Sequence, residues 1–340
     1  MNIMDKIIGC FLGAAVGDAM GAATETRTIE MIQKDFGGYV KKIVDPPDDC
    51  FIRHQPAGTV TDDFSLAYIT ALTLLQEKGK VTPEAAQNCL TAWSENEYYF
   101  SLAGPTTRAS VLNLKGISSG PIAENFLACD NHKATNGAAM KIFPIGLIHP
   151  GDKNSTIDDA ITICLPTHTS DAALAGSCAI ACAVSEAVGS HATLDTVIEA
   201  GIYGARYGLL QGRKRGTPCA CPSVEKRIRL AVNIGNQCDT WETAIKELSD
   251  IIGTGISISE SVPCVFGILA ATRSDPMSSI IAAVNAGNDT DTIATMAGAI
   301  AGALYGVSNI PIEYMDLINK VNHFDIMKLA IQYYDMFYKS

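Results

Sequence analysis

Two stripes of small residues at four-residue spacing constrain the fold more than any other feature. One consists of Gly9, Gly13, Gly17 and Gly21, and the other of Ala294, Gly298, Gly302 and Gly306. Residues four apart lie on one face of an α-helix, and each glycine inside a helix costs about 1 kcal/mol relative to alanine. Close approach of another helix, where no side chain would fit, is the simplest reason to keep them. The stripes therefore predict two central, tightly packed helices, and a contact between the two is one arrangement that satisfies both.

Helical periodicity also dominates the rest of the chain. Further helices are predicted at Phe64–Lys78, Pro83–Glu97, Thr156–Leu165, Ser170–Val188, Leu194–Gly208, Ser223–Asn233, Trp241–Ile251, Pro263–Thr272, Met277–Ala286 and Pro311–Tyr338. Only Val40–Val44 and Ile256–Val262 alternate in the manner of strands. Composition does not shift along the 340 residues and no flexible linker stands out. The sequence therefore predicts an all-α fold in which residues 1–340 form a single domain.

Charge and apolar run length exclude two classes of partner. The net charge is −11, and binding to nucleic acid needs a basic surface. The longest apolar runs, Ala172–Val184 and Ile293–Val307, are shorter than the roughly 20 residues of a membrane-spanning helix. We therefore expect neither a nucleic-acid nor a membrane partner.

The cysteines bear on the compartment. The sequence has eleven of them at scattered spacings, with no C-x-x-C pair. This pattern is typical of reduced thiols and not of a disulfide framework or a structural zinc site. The first residues show no basic region ahead of a long apolar stretch, as a signal peptide would. Together these features predict a cytoplasmic protein.

Two acidic clusters each precede an apolar helix: Thr61-Asp62-Asp63 and Asp289-Thr290-Asp291-Thr292. Capping is the ordinary explanation, because Asp and Thr are favoured at helix starts, where the dipole favours a carboxylate. A cap needs one or two oxygens, however, and each cluster supplies more. Neither stretch contains Lys or Arg. If the clusters meet in the fold, a divalent cation would neutralise the repulsion between their carboxylates.

The donor type narrows the choice of ion. All the oxygens are hard ligands, which suit Mg²⁺, Mn²⁺ or Ca²⁺ and disfavour zinc or copper. An EF-hand loop is excluded because the segment after Asp289 lacks glycine at its sixth position and an acidic residue at its twelfth. The ligands must then come from distant segments, which suggests a site for two metal ions.

Five sequence blocks, in order, resemble the ADP-ribosylglycohydrolase family. They are "GCFLGAAVGDAMGAATE" (Gly9–Glu25), "GTVTDD" (Gly58–Asp63), "TNGAAMKIFPIGLI" (Thr135–Ile148), "PTHTSDAALAG" (Pro166–Gly176) and "GNDTDTIATMAGAIAGALYG" (Gly287–Gly306). The resemblance implies a compact, multi-helix orthogonal bundle with a binuclear Mg²⁺ or Mn²⁺ centre in a cleft. It also implies cleavage of a glycosidic bond at C1 of a ribose.

The resemblance assigns roles by position. It implies that the metal ligands are Thr61, Asp62, Asp63, Asp289, Asp291 and Thr292. Glu25 matches a catalytic glutamate, and Asp63 could share that role. Asn136 and Gly137 match a loop that holds ADP-ribose, and His168 matches a position near its adenosine and diphosphate.

Glu25 and His168 each also have an ordinary interpretation. Glu25 could be a surface glutamate after a glycine-rich helix, and His168 could be a helix-start residue bonded to backbone. Asp18, between two stripe glycines, is expected to be buried and hydrogen-bonded behind the site.

The sequence departs from the family pattern at three points. Phe64 replaces the threonine that usually follows Thr-Asp-Asp, and Lys141 replaces an arginine. The loop Lys133–Thr135 lacks the glycine common in ADP-ribose binders.

Three functions therefore stay open at the level of sequence. The first is hydrolysis of an ADP-ribosyl bond on a modified protein or small acceptor. The second is hydrolysis of free ribonucleosides at the same metal centre, and the third is a non-catalytic module that binds ADP-ribose. The expected partner is accordingly an ADP-ribosylated protein or a small ribosyl substrate. The sequence leaves the oligomeric state open.

Overall fold

A computed structural model describes residues 2–117 and 131–339, apart from the side chain at position 132. Those residues form seventeen α-helices and no sheet, which confirms the all-α prediction. In chain order the helices are α1 (Ile3–Gly21), α2 (Ile29–Asp35), α3 (Asp62–Gln76), α4 (Pro83–Trp93), α5 (Glu97–Leu102), α6 (Pro105–Leu114), α7 (Phe143–Ile148), α8 (Lys153–Cys164), α9 (Asp171–Ala187), α10 (Leu194–Arg215), α11 (Val224–Gln237), α12 (Trp241–Ile251), α13 (Ile258–Ala271), α14 (Pro276–Val284), α15 (Thr290–Tyr305), α16 (Glu313–Asn322) and α17 (Ile326–Phe337). Two short 3₁₀ turns, Asn131–Lys133 and Asn136–Ala138, precede α7.

The two stripes of small residues face each other. Helices α1 and α15 run antiparallel, so that Gly9 lies against Gly302 and Gly13 against Gly298. A Cβ added to Gly13 would lie 2.2 Å from the Gly298 carbonyl oxygen, and one added to Gly302 would lie 2.0 Å from that of Gly9. Real Cβ atoms do not approach backbone so closely. We call this contact between the two stripes the glycine seam, and it confirms the prediction of two tightly packed central helices.

The helix pair around the seam lies at the centre of the core. Every residue of α15 from Thr290 to Leu304 is buried, as is every residue of α1 from Lys6 to Gly21. A helix that is buried on all sides is surrounded by other elements. Here α9, α13, α14 and α17 supply that cover.

The predicted strand at Val40–Val44 is wrong. Val40 makes the backbone hydrogen bonds that a strand partner would satisfy, but it makes them with the side chain of Asn285. The Val40 N–H donates to Asn285 Oδ1 at 2.8 Å, and Asn285 Nδ2 donates to the Val40 carbonyl at 2.8 Å. A single amide side chain thus replaces a neighbouring strand, which periodicity cannot reveal.

The predicted strand at Ile256–Val262 is also wrong, because α13 begins at Ile258 and runs through Pro263. A proline inside a helix leaves the carbonyl four residues earlier without its usual donor. Here that carbonyl belongs to Ser259, and Arg227 Nη1 donates to it at 3.0 Å. A side chain from α11 therefore makes the proline tolerable.

The predicted C-terminal helix, Pro311–Tyr338, is two helices. The helix is interrupted between α16 and α17, where His323 adopts the left-handed conformation with φ 58°. Asp325 then caps α17 by accepting the Lys328 N–H. The periodicity had also missed the short helices α2, α5, α6 and α7, since helices of ten residues or fewer carry few repeats.

Two further expectations concern the chain as a whole. None of the helices in the described ranges combines the length and apolar character that crossing a bilayer requires. Within the described ranges nine cysteines are free thiols: Cys10, Cys50, Cys89, Cys164, Cys178, Cys182, Cys221, Cys238 and Cys264.

Candidate active site

The two acidic clusters meet at one cavity of about 170 Å³. The first cluster opens α3, and the second opens α15, with Asp289 at its N-cap. Both helices point their positive dipole ends at the cavity. The acidic clusters and the segment after α1 contribute six lining residues: Glu25, Asp62, Asp63, Asp289, Asp291 and Thr292.

The glycine seam brings Glu25 to the second cluster. At the end of α1 a Cβ on Gly21 would lie 2.5 Å from Cα of Asp291, so the two backbones touch where α15 begins. Glu25 follows four residues later, and carboxylate oxygens of Glu25, Asp289 and Asp291 lie within 4.8 Å of one another. The Thr26 N–H also donates to the Asn288 carbonyl at 2.7 Å, which ties the two segments together.

Asp18 holds the first cluster in place. Its carboxylate is fully buried and accepts the backbone N–H of Thr61 at 2.9 Å and that of Phe64 at 2.8 Å. These donors belong to the first turn of α3, where helix N–H groups have no partner within the helix. The expected supporting role of Asp18 thus takes the form of a cap that α1 supplies to α3.

The carboxylates oppose one another electrostatically. Burial, followed by the nearby charges of Asp289 and Asp62, raises the pKa of Glu25 to about 9. Burial, followed by the charge of Asp18, raises the pKa of Asp62 to about 8. Desolvation and like charges both disfavour ionised carboxylates, so the cluster is unfavourable at neutral pH without a compensating positive charge.

Two of these carboxylates also have an oxygen without any hydrogen-bond partner. They are Oδ2 of Asp63 and Oδ1 of Asp291, and both atoms are buried. A buried acceptor without a partner carries a desolvation penalty of about 1–3 kcal/mol, more if it is charged. Unpartnered hard oxygens among like charges are the donor set that Mg²⁺, Mn²⁺ or Ca²⁺ prefers, so these residues fit a divalent cation.

The opposite wall of the cavity carries the predicted substrate residues. Asn136, Gly137 and His168 all line it, together with Thr135. Asn136 Nδ2 donates to Asp289 Oδ2 at 2.5 Å, which links this wall to the acidic cluster. A Cβ on Gly137 would lie 3.1 Å from the His168 ring, so glycine allows the loop to approach that ring.

His168 is a buried, neutral side chain. It is 1% exposed, and burial, followed by the charge of Lys141, lowers its pKa to about 3. Its Nε2 lies 2.9 Å from the Thr135 hydroxyl and its Nδ1 lies 2.8 Å from the Thr167 hydroxyl. The ordinary interpretation, a helix-start residue whose ring bonds to backbone, does not describe these contacts.

Thr61 and Phe64, which flank the two aspartates of the first acidic cluster, are not among the lining residues of the cavity. The Thr61 hydroxyl caps α3 by accepting the Asp63 N–H at 3.2 Å. Phe64 is fully buried and packs on Phe143 and Phe324 with ring centroids 6.4 and 5.7 Å apart. The departure from the family pattern at position 64 therefore changes the aromatic core and not the lining of the cavity.

The sequence analysis missed part of the cavity lining. Gly104, Pro105, Thr106 and Thr107 line it where α6 begins, and Ile256 lines it as a 64% exposed side chain. No side chain caps α6. A proline directly after glycine is a signal of a helix start, so Gly104-Pro105 could have indicated α6.

A wider groove of about 750 Å³ lies elsewhere, beside α8 and α10. Several of its charges are paired: Lys153 with Glu186 at 3.0 Å, and Arg206 with Glu225 at 2.6 Å. It offers no unpartnered buried oxygen, whereas the smaller cavity offers two. The chemistry therefore singles out the smaller cavity.

Fold and site together define an all-α protein with a buried carboxylate cleft, and similarity to known proteins defines the family. The family model for ADP-ribosylglycohydrolase matches residues 1–340, and the chain belongs to that family. The family resemblance inferred from the five sequence blocks is thereby confirmed.

Several relatives span nearly the whole chain. The uncharacterised protein YegU of Escherichia coli (strain K12) is 32% identical over 330 residues, covering 96% of this chain and 95% of its own. ADP-ribosylhydrolase ARH3 of Homo sapiens is 25% identical and covers 99% of this chain and 95% of its own. ADP-ribosyl-[dinitrogen reductase] glycohydrolase of Rhodospirillum rubrum is 26% identical and covers 94% of this chain and 92% of its own.

A solved structure shares the fold. It is described as an ADP-ribosylglycohydrolase-related protein complex and superposes with a TM-score of 0.68, covering 98% of each chain at 22% sequence identity. The family and its relatives identify the chain as one of the glycohydrolases.

Proposed function

We propose that this protein is a metal-dependent hydrolase that cleaves a ribosyl N-glycosidic bond and releases ADP-ribose from a modified acceptor. The observation that carries the proposal is the convergence of the two acidic clusters with Glu25 on one cavity, where two buried carboxylate oxygens have no partner. Family membership supports the reaction class.

We propose Asp62, Asp63, Asp289 and Asp291 as ligands of two Mg²⁺ or Mn²⁺ ions, with hydroxyl oxygens from Thr61 and Thr292. Divalent cations held by these oxygens would supply the positive charge that orients the ribose hydroxyls and makes a water molecule more acidic. The unpartnered oxygens of Asp63 and Asp291 support this assignment.

Glu25 is the proposed catalytic acid or base. Cleavage at C1 of a ribose proceeds through an oxocarbenium-like transition state and needs proton transfer at the leaving group and at the attacking water. The Glu25 carboxyl is half-buried, lines the cavity and lies within 4.8 Å of oxygens of Asp289 and Asp291. Asp63, on the same wall, would share the proton transfer.

The start of α6 favours an ADP-ribosyl substrate over a free nucleoside. A helix N-terminus without a side-chain cap presents backbone N–H groups and a positive dipole end to an anion. Thr106 and Thr107 place that end at the cavity. The diphosphate of ADP-ribose is such an anion, whereas a nucleoside has none.

The cavity volume and the net charge limit how the substrate binds. At about 170 Å³ the cavity is smaller than the roughly 300–1,000 Å³ that encloses a drug-sized ligand. We therefore propose that it encloses the ribose, with Asn136, Gly137 and His168 contacting the rest of ADP-ribose at the mouth.

The net charge of −11 slows encounter with an anion, and it is the one property that favours a neutral nucleoside.

The names of the relatives suggest the acceptor. They include ADP-ribosylhydrolase ARH3, the ADP-ribosylarginine hydrolase Tri1 of Pseudomonas putida (strain GB-1), and the dinitrogen reductase glycohydrolase. We propose an ADP-ribosylated protein or a small ribosyl acceptor as substrate.

Two properties of the whole chain belong to the same proposal. We propose one domain over residues 1–340, because α1 near one end packs on α15 near the other. We propose a cytoplasmic location, which the free thiols support.

A substrate comparison tests the function. Purified protein with Mg²⁺ or Mn²⁺ should release ADP-ribose from ADP-ribosyl-arginine or ADP-ribosyl-serine faster than it releases base from free ribonucleosides. A 2′-deoxyribosyl version of the substrate that turns over should react much more slowly, because it lacks one of the two ribose hydroxyls, 2′ and 3′, that the cations would orient.

Two variants separate the roles in that assay. Asp291→Ala should abolish turnover and leave the helical circular dichroism spectrum unchanged, and Glu25→Gln should lower kcat by roughly 100-fold or more. Glu30→Gln, on the exposed face of α2, is the matched control and should retain wild-type activity. Full activity of chelator-treated protein, or equal kcat/KM for ribosyl and 2′-deoxyribosyl substrates, would contradict the proposal.

A further inference from the structure

A buried lysine lies behind the substrate wall of the cleft. Lys141 is 1% exposed, and Nζ donates to the Thr167 hydroxyl at 3.0 Å. No carboxylate of the described chain lies within ion-pair distance of this ammonium group. Burying a charge without a counterion is costly, so its placement calls for an explanation.

The Lys141 amino group fixes the direction of the hydrogen bonds that follow. Burial lowers the pKa of Lys141 from its usual 10.5, and its Nζ donates to the Thr167 hydroxyl. The Thr167 oxygen therefore accepts from Lys141 and keeps its own proton to give. Two acceptors compete for that proton: the Cys164 carbonyl at 3.3 Å and His168 Nδ1 at 2.8 Å. The Cys164 carbonyl already accepts the N–H groups of Thr167 and His168, at 3.0 and 2.8 Å. Its two lone pairs are then occupied, so Nδ1 receives the hydroxyl proton.

The neutral imidazole of His168 accepts a hydrogen bond at Nδ1 and donates one at Nε2, towards the cavity. A neutral histidine whose Nδ1 accepts carries its proton on Nε2. Nε2 of His168 therefore donates to the Thr135 hydroxyl at 2.9 Å. Thr135 then has its own proton left to donate, and it lines the cavity as a half-buried side chain.

We propose that Lys141, Thr167, His168 and Thr135 form a hydrogen-bond chain of fixed direction, which presents the Thr135 hydroxyl proton to the cleft and selects a substrate with an acceptor oxygen there. Lys141 is a positioning residue in this chain, and Thr135 contacts the substrate. A phosphate oxygen is the acceptor that the proposed ADP-ribosyl substrate supplies, so the inference rests on the proposed function. Both Lys141 and the loop Lys133–Thr135 are points where the sequence departs from its family.

The position of the His168 proton tests the chain without any substrate. Long-range proton–nitrogen correlation spectra of protein labelled at its six histidines distinguish the two neutral tautomers, and His168→Gln assigns the signal. Wild-type protein should show the proton on Nε2. Lys141→Met and Thr167→Val, which break the chain at different links, should each shift His168 to a mixture or to the Nδ1 tautomer. A proton on Nδ1 in wild-type protein, or an unchanged tautomer in both variants, would overturn the proposal.

Calorimetric titration with ADP-ribose tests the donor. Thr135→Val should weaken binding by roughly tenfold, as expected for a lost hydrogen bond to a charged group. Lys141→Met should weaken it by about threefold, because the hydroxyl remains but its direction is no longer fixed. Thr169→Val is the matched control: its hydroxyl contacts Thr217 instead of the chain, and its affinity should equal that of wild-type protein.

The outcomes separate this inference from the proposed function. Equal affinity of Thr135→Val and wild-type protein for ADP-ribose would overturn the role of Thr135. Wild-type protein that binds no ADP-ribose would overturn both the proposed substrate and the phosphate acceptor. The direction of the chain would then still be decided by the tautomer of His168.

Discussion

The glycine seam and the acidic cluster lie along one pair of helices and follow opposite rules. Along the seam, α1 and α15 approach until a Cβ on Gly13 would lie 2.2 Å from backbone, and the positions that face Gly9, Gly13 and Gly17 carry no charge. At the end of the seam, carboxylates crowd together and two of their oxygens have no partner. The seam needs no further group, whereas the cluster of like charges is unfavourable without a compensating positive charge. The rigid contact between the backbones of α1 and α15 thus holds mutually repelling carboxylates together at the cavity.

Substitution in the seam should have the largest effect on stability. Gly13→Ala places a Cβ against the Gly298 carbonyl, which belongs to a helix and cannot move aside. We expect the free energy of unfolding to fall by about 3 kcal/mol or more, at the upper end of overpacking in a core. Urea denaturation measures it. Gly104→Ala, where a Cβ meets nothing within 4 Å, should cost no more than about 1 kcal/mol. Equal losses for the two variants would mean that the seam does not depend on its glycines.

Metal addition should have the next largest effect, and in the opposite direction. A cation that binds only the folded chain stabilises it by about 2.7 kcal/mol at 100 times its Kd. We therefore expect Mn²⁺ to raise the melting temperature of wild-type protein and to raise that of Asp63→Asn much less. Asp195→Asn, on an exposed surface of α10, should respond to Mn²⁺ as wild-type protein does. If Mn²⁺ raised the melting temperature of Asp63→Asn as much as that of wild-type protein, the acidic cluster would not be the metal site.

A pH effect should be somewhat smaller and should belong to the cleft and not to the seam. Burial lowers the pKa of His168 from 6.5 to about 3. Below pH 6.5 the unfolded chain therefore binds a proton that the folded chain does not, so this contribution to stability is complete above pH 6.5 and is lost as the pH falls towards 3. At pH 5 the loss is about 2 kcal/mol.

The difference between wild-type protein and His168→Gln in urea denaturation at pH 7.5 and pH 5 isolates this loss, because the raised pKa values of Glu25 and Asp62 change the stability of both proteins alike. His168→Gln should lose about 2 kcal/mol less than wild-type protein between the two values. His191→Gln, at an exposed position, and Gly13→Ala should each lose as much as wild-type protein. If the seam variant lost less than wild-type protein, the seam and the cleft could not be treated as separate regions.

Five ordered sequence blocks showed the family, and the sequence by itself also determined the all-α class and the two central helices. Both depend on local spacing, since a helix places residues four apart on one face whatever surrounds it. The two acidic clusters could also be recognised from local sequence. Each is contiguous, each opens a helix, and each contains more carboxylate groups than a helix cap requires. Asp18 could be named because it lies between two stripe glycines, whereas Glu25 could be named only through the family resemblance.

Tertiary structure decided what depends on partners distant in sequence. Asn285 replaces the strand partner of Val40, and Arg227 makes Pro263 tolerable inside α13, so two predicted strands do not form. The hydrogen bonds that connect Lys141 to Thr135 are a further example. The order of these residues in the sequence does not indicate which group donates and which accepts. Local patterns report what one segment prefers, but the partner of a buried polar group is set by packing, because the group pairs with whichever donor or acceptor the fold brings next to it.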